Sequence, residues 1–291
     1  MSNTHATLAL IFDFDDTLVP DSTTKLLEEH GIDPNKFWRE DARDLVEAGF
    51  DPSHAYLKLI LDNVGDGKPL GRLTNNHLRQ FGKENMSRLF YPGVKRLFPD
   101  LKKIVNKRRD IQIEFYVISG GLQEIIEGCD VITDHFSGIY GCQLAGDTTD
   151  GELKYVKRCV TFTEKTRFLF EINKGLRPDA TQKNPYLVNK NIETGTRRIP
   201  FSNMIYAGDG LTDIPCFSLL KKQGGSSFGV FKADEESAKR ALLEFLKTDR
   251  VIASYTPKFG TKDDLGIILR AAVQTHCAEI ELERKQAEGP S

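Results

Sequence analysis

Residues 7 to 13, TLALIFD, form a short apolar run that ends in a cluster of carboxylates, Asp13, Asp15 and Asp16. An apolar run of this length, without alternation, reads as a strand buried on both faces, the signature of a parallel sheet. Like charges at the mouth of such a strand repel one another and are costly to desolvate. The stretch therefore calls for a positive group held there by the carboxylates, which constrains both the fold and its use.

The next block differs. STTKLLEEHG reads as a helix with Ser22 at its N-cap and Gly31 past its end. DPNKFWREDARDLVEAG and DPSHAYLKLILDNVG each start with Asp-Pro and stop at Gly, with Asp33 as the cap of the first. A fourth helical stretch runs over 73–89, and YPGV at 91–94 breaks it. Strand and helix then alternate. A helix is expected over 93–108, a strand over 111–119, a helix over 121–128 and a hairpin within 131–162, turning at GDTTDGE. A helix in TEKTRFLFEINKG follows, then strands in NMIYAGDG, SSFGVF and RVIAS with helices between and after them. This order predicts an α/β fold: a Rossmann-like parallel-sheet core made of 1–19 and 92–291, with the helical block 20–91 inserted after the first strand. The tail ERKQAEGPS reads as frayed.

The 291 residues suffice for such a core plus a smaller unit, and 39% hydrophobic with 28% charged residues is ordinary for a globular protein. A formal net charge of −2 gives no field directed at nucleic acid or an anionic membrane, and neither partner is expected. Cysteines 129, 142, 159, 216 and 277 lack metal-ligand spacing and read as reduced thiols. With no basic segment before the short first apolar run and no apolar stretch of membrane-spanning length, a cytoplasmic protein is expected.

Parallel sheets bind ligands beyond the carboxyl ends of their strands. Three strand ends carry suggestive residues: Asp13-Phe14-Asp15-Asp16-Thr17, Ser119-Gly120-Gly121, and Gly208-Asp209-Gly210-Leu211-Thr212-Asp213. Asp13 and Asp15, two apart, project the same way from an extended chain. Two carboxylates so close should have pKa values pushed apart, the arrangement wanted for a nucleophile beside a general acid/base. Asp209 and Asp213 add hard oxygen donors, which suit Mg²⁺ rather than zinc. Ser119 and the bare backbone of Gly120 suit an anion. Lys165, near the start of its helix, adds a cation. Together they outline phosphoryl transfer.

DFDDTLV, VISGG, the lysine of TEKTRFL and YAGDGLTD resemble, in order, the four motifs of the haloacid dehalogenase-like superfamily, most closely its phosphoserine-phosphatase-like branch. The resemblance implies a Mg²⁺-dependent phosphatase acting on a small phosphorylated metabolite, with a helical cap inserted after the first motif. It implies Asp13 as the nucleophile that becomes an aspartyl-phosphate and Asp15 as general acid/base. Asp13, the Asp15 carbonyl and Asp209, supported by Asp213, would hold the metal, and Ser119, Gly120 and Lys165 the phosphoryl group. The stretch Val19-Pro20-Asp21-Ser22 lacks the Glu with which phosphoserine phosphatases read the substrate amino group, so the residues support the reaction rather than phosphoserine as substrate.

Transfer to an acceptor other than water shares the first half-reaction, and a regulatory protein could keep the fold without turnover. Dehalogenation is disfavoured by Asp15 and Asp209. No histidine is assigned a role. Asp16 reads as a turn residue, and Phe37, Trp38 and Tyr56 as core of the helical block, a place from which aromatics can also touch a substrate. Arg39, Arg43 and Arg72 are unranked candidates for the far end of a substrate. The basic stretch 174–198 reads as a solvated loop, and the DTTDG turn lacks calcium-loop spacing.

Overall fold

The computed structural model describes residues 6–288. The first five residues of the expected core segment and the last three of the expected frayed tail lie outside the described residues. Seven strands form one sheet: β1 (Ala6–Phe12), β2 (Ile111–Leu122), β3 (Gly138–Gly146), β4 (Leu153–Arg158), β5 (Met204–Gly208), β6 (Ser226–Val230) and β7 (Ala253–Tyr255). Their order is β4-β3-β2-β1-β5-β6-β7. Neighbours run parallel except β3 and β4, which form the antiparallel hairpin. β1 lies between β2 and β5, which explains its unbroken apolar run: Leu8 to Phe12 are fully buried.

The register shows how both faces are covered. Phe12 pairs with Ala207, and Ile11 with Tyr206, so Phe12 and Tyr206 point to opposite faces. Phe12 packs edge-to-face on Phe98 of the helix Val94–Val105, whereas Tyr206 packs on Phe217 of the helix Ile214–Lys222. The chain steps from β1 to β2 to β3 on one side, then returns to place β5 on the other side of β1. This reversal opens a crevice beyond the carboxyl ends of β1 and β5.

Between β1 and the helix Val94–Val105 the described chain is helical: Ser22–Glu29, a continuous stretch over 34–47 with a π-helical middle (Phe37–Ala42), Pro52–Asp62 and Asn75–Glu84. Asp33 and Asp51 cap as expected, accepting from Asn35 N–H at 2.9 Å and Ser53 N–H at 2.9 Å, with proline at the first helical position.

Several boundaries differ from the sequence expectation. Asp21, not Ser22, caps the first helix, accepting from Thr24 N–H at 2.5 Å. β2 runs to Leu122, because Leu122 pairs with Cys142 after a register shift past Ile118; Ser119, Gly120 and Gly121 lie in that irregularity, and the helix begins at Gln123. The start of 131–162 is helical (Asp130–His135) before the hairpin begins. The last strand is Ala253–Tyr255, paired with β6. The basic loop contains a helix, Pro178–Lys183, and short 3₁₀ turns. The expected frayed tail is helical to Glu288, within the helix Asp264–Glu288.

Candidate active site

The carboxyl end of β1 is fastened across the sheet: Asp13 N–H donates to Ala207 O of β5 at 3.0 Å. Its carboxylate is fixed at both oxygens, by Phe14 N–H to Oδ1 at 2.6 Å and by Lys165 Nζ to Oδ2 at 2.7 Å. Lys165 lies in the first turns of the helix Phe162–Lys174 and is 1% exposed. Its ammonium also donates to Asp213 Oδ1 at 2.7 Å. Burial works against that charge, but Asp13 and Asp213 outweigh it and hold the ammonium above the usual lysine value. Two other lysines near it in the chain are engaged elsewhere: Lys154 pairs with Asp147 at an exposed turn and Lys174 donates to Val188 O.

Asp213 is fully buried, and both its oxygens are engaged: Oδ1 by Lys165 and by the Tyr206 hydroxyl at 2.7 Å, Oδ2 by Gly210 N–H at 2.9 Å. Burial pushes its carboxyl up to about 6 against the opposing Lys165 charge. Its geometry suits positioning of Lys165 and of the loop after β5. Asp209 accepts from the Thr17 hydroxyl at 3.3 Å. Burial, then Asp13, Asp213 and Asp16, raise its carboxyl well above the usual range.

Asp13, Asp209 and Asp213 each offer an oxygen, and these atoms lie within 4.8 Å of one another. Three carboxylates facing one ammonium leave an excess of negative charge. An all-oxygen donor set with that excess fits a hard divalent cation.

Asp15 sits across the crevice. Its Oδ1 accepts from Ser22 N–H at 2.7 Å. Burial, then the charge of Asp21, hold its carboxyl well above the usual value despite the Ser22 hydrogen bonds. The chain passes close by at Gly121, where a Cβ would overlap Asp15 Oδ2. Ser119 is fully buried, and its Oγ accepts from Gly121 N–H at 3.1 Å.

A cavity of about 200 Å³ joins these groups and is lined by Asp13, Asp15, Ser119, Gly120 and Asp209 among others. The structure thus brings Asp13, Asp15, Ser119, Gly120 and Asp209 to one cavity, while Lys165 and Asp213 do not line it and join it through the hydrogen bonds of Lys165 to Asp13 and Asp213. Larger clefts near Glu114 and Arg198 (about 710 Å³) and near Gln143 and Lys157 (about 590 Å³) lie away from the acidic cluster. Their size carries no chemistry comparable to it.

Residues the sequence reading placed elsewhere also line the cavity. Trp38 and Tyr56 are not simply core of the helical block: both face the site, their rings 5.8 Å apart, and the Tyr56 hydroxyl donates to Gly120 O at 2.6 Å. Phe37 is core, as expected. Asp16 is more than a turn residue. Its left-handed backbone (φ 54°) turns the side chain to Lys232 Nζ at 2.7 Å and to Asp21 N–H at 3.2 Å. Thr23, Asp21 and Thr212 complete the wall. Arg39, Arg43 and Arg72 are not among the lining residues. Only the aromatic pair carried a signal in the sequence, its place in a helical block following the acidic motif.

No protein-family model matches the chain. It is 30% identical over 279 residues to an uncharacterized protein of Borreliella burgdorferi, covering 88% of this chain and 93% of that one. Among solved structures, it is similar to a HAD family hydrolase from Salmonella enterica serovar Typhi (TM-score 0.55, 14% identity, 87% of this chain and 67% of the other). It is also similar to a probable phosphoserine phosphatase from Vibrio cholerae (TM-score 0.53, 10% identity, 97% and 68%). The chain therefore has the haloacid dehalogenase-like hydrolase fold, and it belongs to one protein family with the uncharacterized Borreliella protein.

Proposed function

We propose that the protein is a Mg²⁺-dependent phosphatase that hydrolyses a small phosphomonoester through an aspartyl-phosphate on Asp13. The observation that carries this reading is the buried Lys165 ammonium clamped between Asp13 and Asp213, whose carboxylates cluster with that of Asp209. An anion entering there meets a cation and a backbone free of side chains at Gly120, with a carboxylate oriented behind it.

In the first step an Asp13 carboxylate oxygen attacks phosphorus and the bond to the leaving oxygen breaks. Asp15, whose raised pKa favours the protonated form, gives its proton to that oxygen. In the second step the Asp15 carboxylate takes a proton from water as the water oxygen attacks phosphorus. The Asp13–phosphorus bond breaks, and orthophosphate leaves. Lys165 holds the Asp13 carboxylate and a phosphoryl oxygen, while the Ser119 hydroxyl and Gly120 backbone take others. Asp13, the Asp15 carbonyl and Asp209 would hold Mg²⁺, which supplies neutralisation of the phosphoryl charge.

The helical block 20–91 serves in this reading as a cap that excludes water and reads the substrate. Supporting it, Thr23, Trp38 and Tyr56 from that block line the cavity, and Tyr56 ties it to the β2 tip. The test is release of orthophosphate from an aryl phosphate and from a panel of phosphorylated metabolites with Mg²⁺. Wild type turns over, and Asp13→Asn or EDTA abolishes it; activity surviving both changes removes the proposal.

A further inference from the structure

Two cysteines that this reaction does not use face each other behind Tyr56. The last rung of the β3–β4 ladder pairs Gln143 with Arg158, so Cys142 and Cys159 are the next residues beyond it on the two strands. Partners across an antiparallel pair lie about 4.5–5.5 Å apart at Cα. A disulfide spans roughly 4.4–6.8 Å.

Cys142 is fully buried and accepts from Val160 N–H at 3.1 Å. Cys159 is half-buried, with Asp51 Oδ1 4.0 Å from its sulfur. Each thiol shifts the acidity of the other, and Cys142 shifts that of Tyr56, as groups that lie next to one another do. Burial alone would raise the Cys142 thiol, but its neighbours Cys159, Val160 and Tyr56 outweigh it and hold the thiol below its usual value, while Cys142 and burial hold the Cys159 thiol above its own. The pair therefore joins a more acidic sulfur, Cys142, to a half-buried thiol, Cys159, placed to attack it once it is oxidised. Tyr56 links the pair to the substrate cavity through Gly120 O and to Trp38 through ring contact.

We propose that Cys142 and Cys159 are an oxidation site that closes to a reversible disulfide when the protein meets a peroxide, and that closure displaces the Tyr56 ring. The Cys142 sulfur, the more acidic of the two, takes one oxygen from hydrogen peroxide, becoming a sulfenic acid and releasing one water. Cys159 sulfur then attacks Cys142 sulfur. The S–O bond breaks, and the departing hydroxide leaves as water with the Cys159 proton. Two thiols and one peroxide thus give one disulfide and two waters.

The test uses the full chain, treated with excess hydrogen peroxide and then either denatured or returned to dithiothreitol. Its five cysteines give a thiol count that should fall by two in the denatured oxidised sample. Peptide mass mapping should show Cys142 joined to Cys159. Trp38 is the sole tryptophan, so its emission reports on the Tyr56 contact without any assay of activity. That emission should change on oxidation and return with dithiothreitol. Cys159→Ser, at a half-buried position, should lose neither the other thiols nor the starting emission. An unchanged thiol count, a bridge to another cysteine, terminal oxidation of Cys142 or Cys159 without a bridge, or a bridge that leaves Trp38 emission unchanged would each overturn the proposal.

Discussion

Lys165 Nζ lies 2.7 Å from Asp13 Oδ2 although 152 positions separate the two residues in the chain. Both are buried, so each charge depends on the other and on Asp213. Removing one partner of a buried pair leaves an uncompensated charge, at a cost of roughly 3–5 kcal/mol. Lys165→Met should lower the unfolding free energy measured in urea by that order in EDTA. It should also cut turnover by about 100-fold or more, since a donor aimed at the transferring charge is lost.

The excess of carboxylates predicts that a divalent cation stabilises the fold. Mg²⁺ at a hundredfold its dissociation constant should add about 2.7 kcal/mol, read as a rise in Tm by calorimetry. Asp209→Asn should abolish the rise while leaving the metal-free Tm equal to or above that of wild type. Its raised carboxyl pKa shows that the charge is unfavourable without a counterion. A Tm indifferent to Mg²⁺ in wild type would contradict the metal assignment.

Tyr56 ties the helical block to the Ser119–Gly121 tip of β2 through its hydroxyl. Tyr56→Phe keeps the ring contact with Trp38 and removes that one hydrogen bond, so stability should fall by about 1 kcal/mol. The kcat/KM should fall severalfold, and the loss should be the same with an aryl phosphate as with larger substrates if the bond positions Gly120. A loss confined to large substrates would instead assign Tyr56 to reading the leaving group.

Gly121→Ala places a methyl group on Asp15 Oδ2. Asp15 must shift, and the step that needs its proton should slow by about 10-fold or more. The far-ultraviolet circular dichroism spectrum should stay that of wild type. An unchanged kcat would show that Asp15 is free to move without consequence.

Away from the site, Glu114 accepts from Arg198 Nη1 at 2.7 Å and from the Tyr116 hydroxyl at 2.5 Å. Burial would raise its carboxyl, but these bonds outweigh it and hold the pKa below the usual value. A depressed folded pKa stabilises above the unfolded value of about 4.3, and that stabilisation is lost as pH falls through the folded value. Glu114→Gln should therefore be less stable than wild type at neutral pH by roughly 1 kcal/mol. The gap should close in denaturant melts taken below about pH 4.

What could be read from the chain was what local rules govern. The unbroken apolar run of β1 signalled a central parallel strand, and the Asp-Pro helix starts fixed the helical block. The acidic and Ser-Gly segments converged because parallel strands must end on one side of a sheet, whereas Lys165 joins them from the helix Phe162–Lys174. What escaped were features set by tertiary contact. Tyr56 and Trp38 look like any aromatic core residues until Gly120 O and the cavity face them. Asp16 pairs with Lys232, 216 positions later, a contact that no spacing rule connects. The shift within β2 arises from pairing with β3, so the strand outlasts its apolar run and the following helix starts late.

The most direct test of the central claim is a crystal structure of the protein grown with Mg²⁺ and beryllium fluoride, a mimic of the aspartyl-phosphate. The account predicts density for the fluoride joined to the Asp13 carboxylate and contacting Lys165 and Ser119, with a cation touching Asp209. Beryllium fluoride seated elsewhere, or a cation bound with Asp13 left untouched, would contradict it.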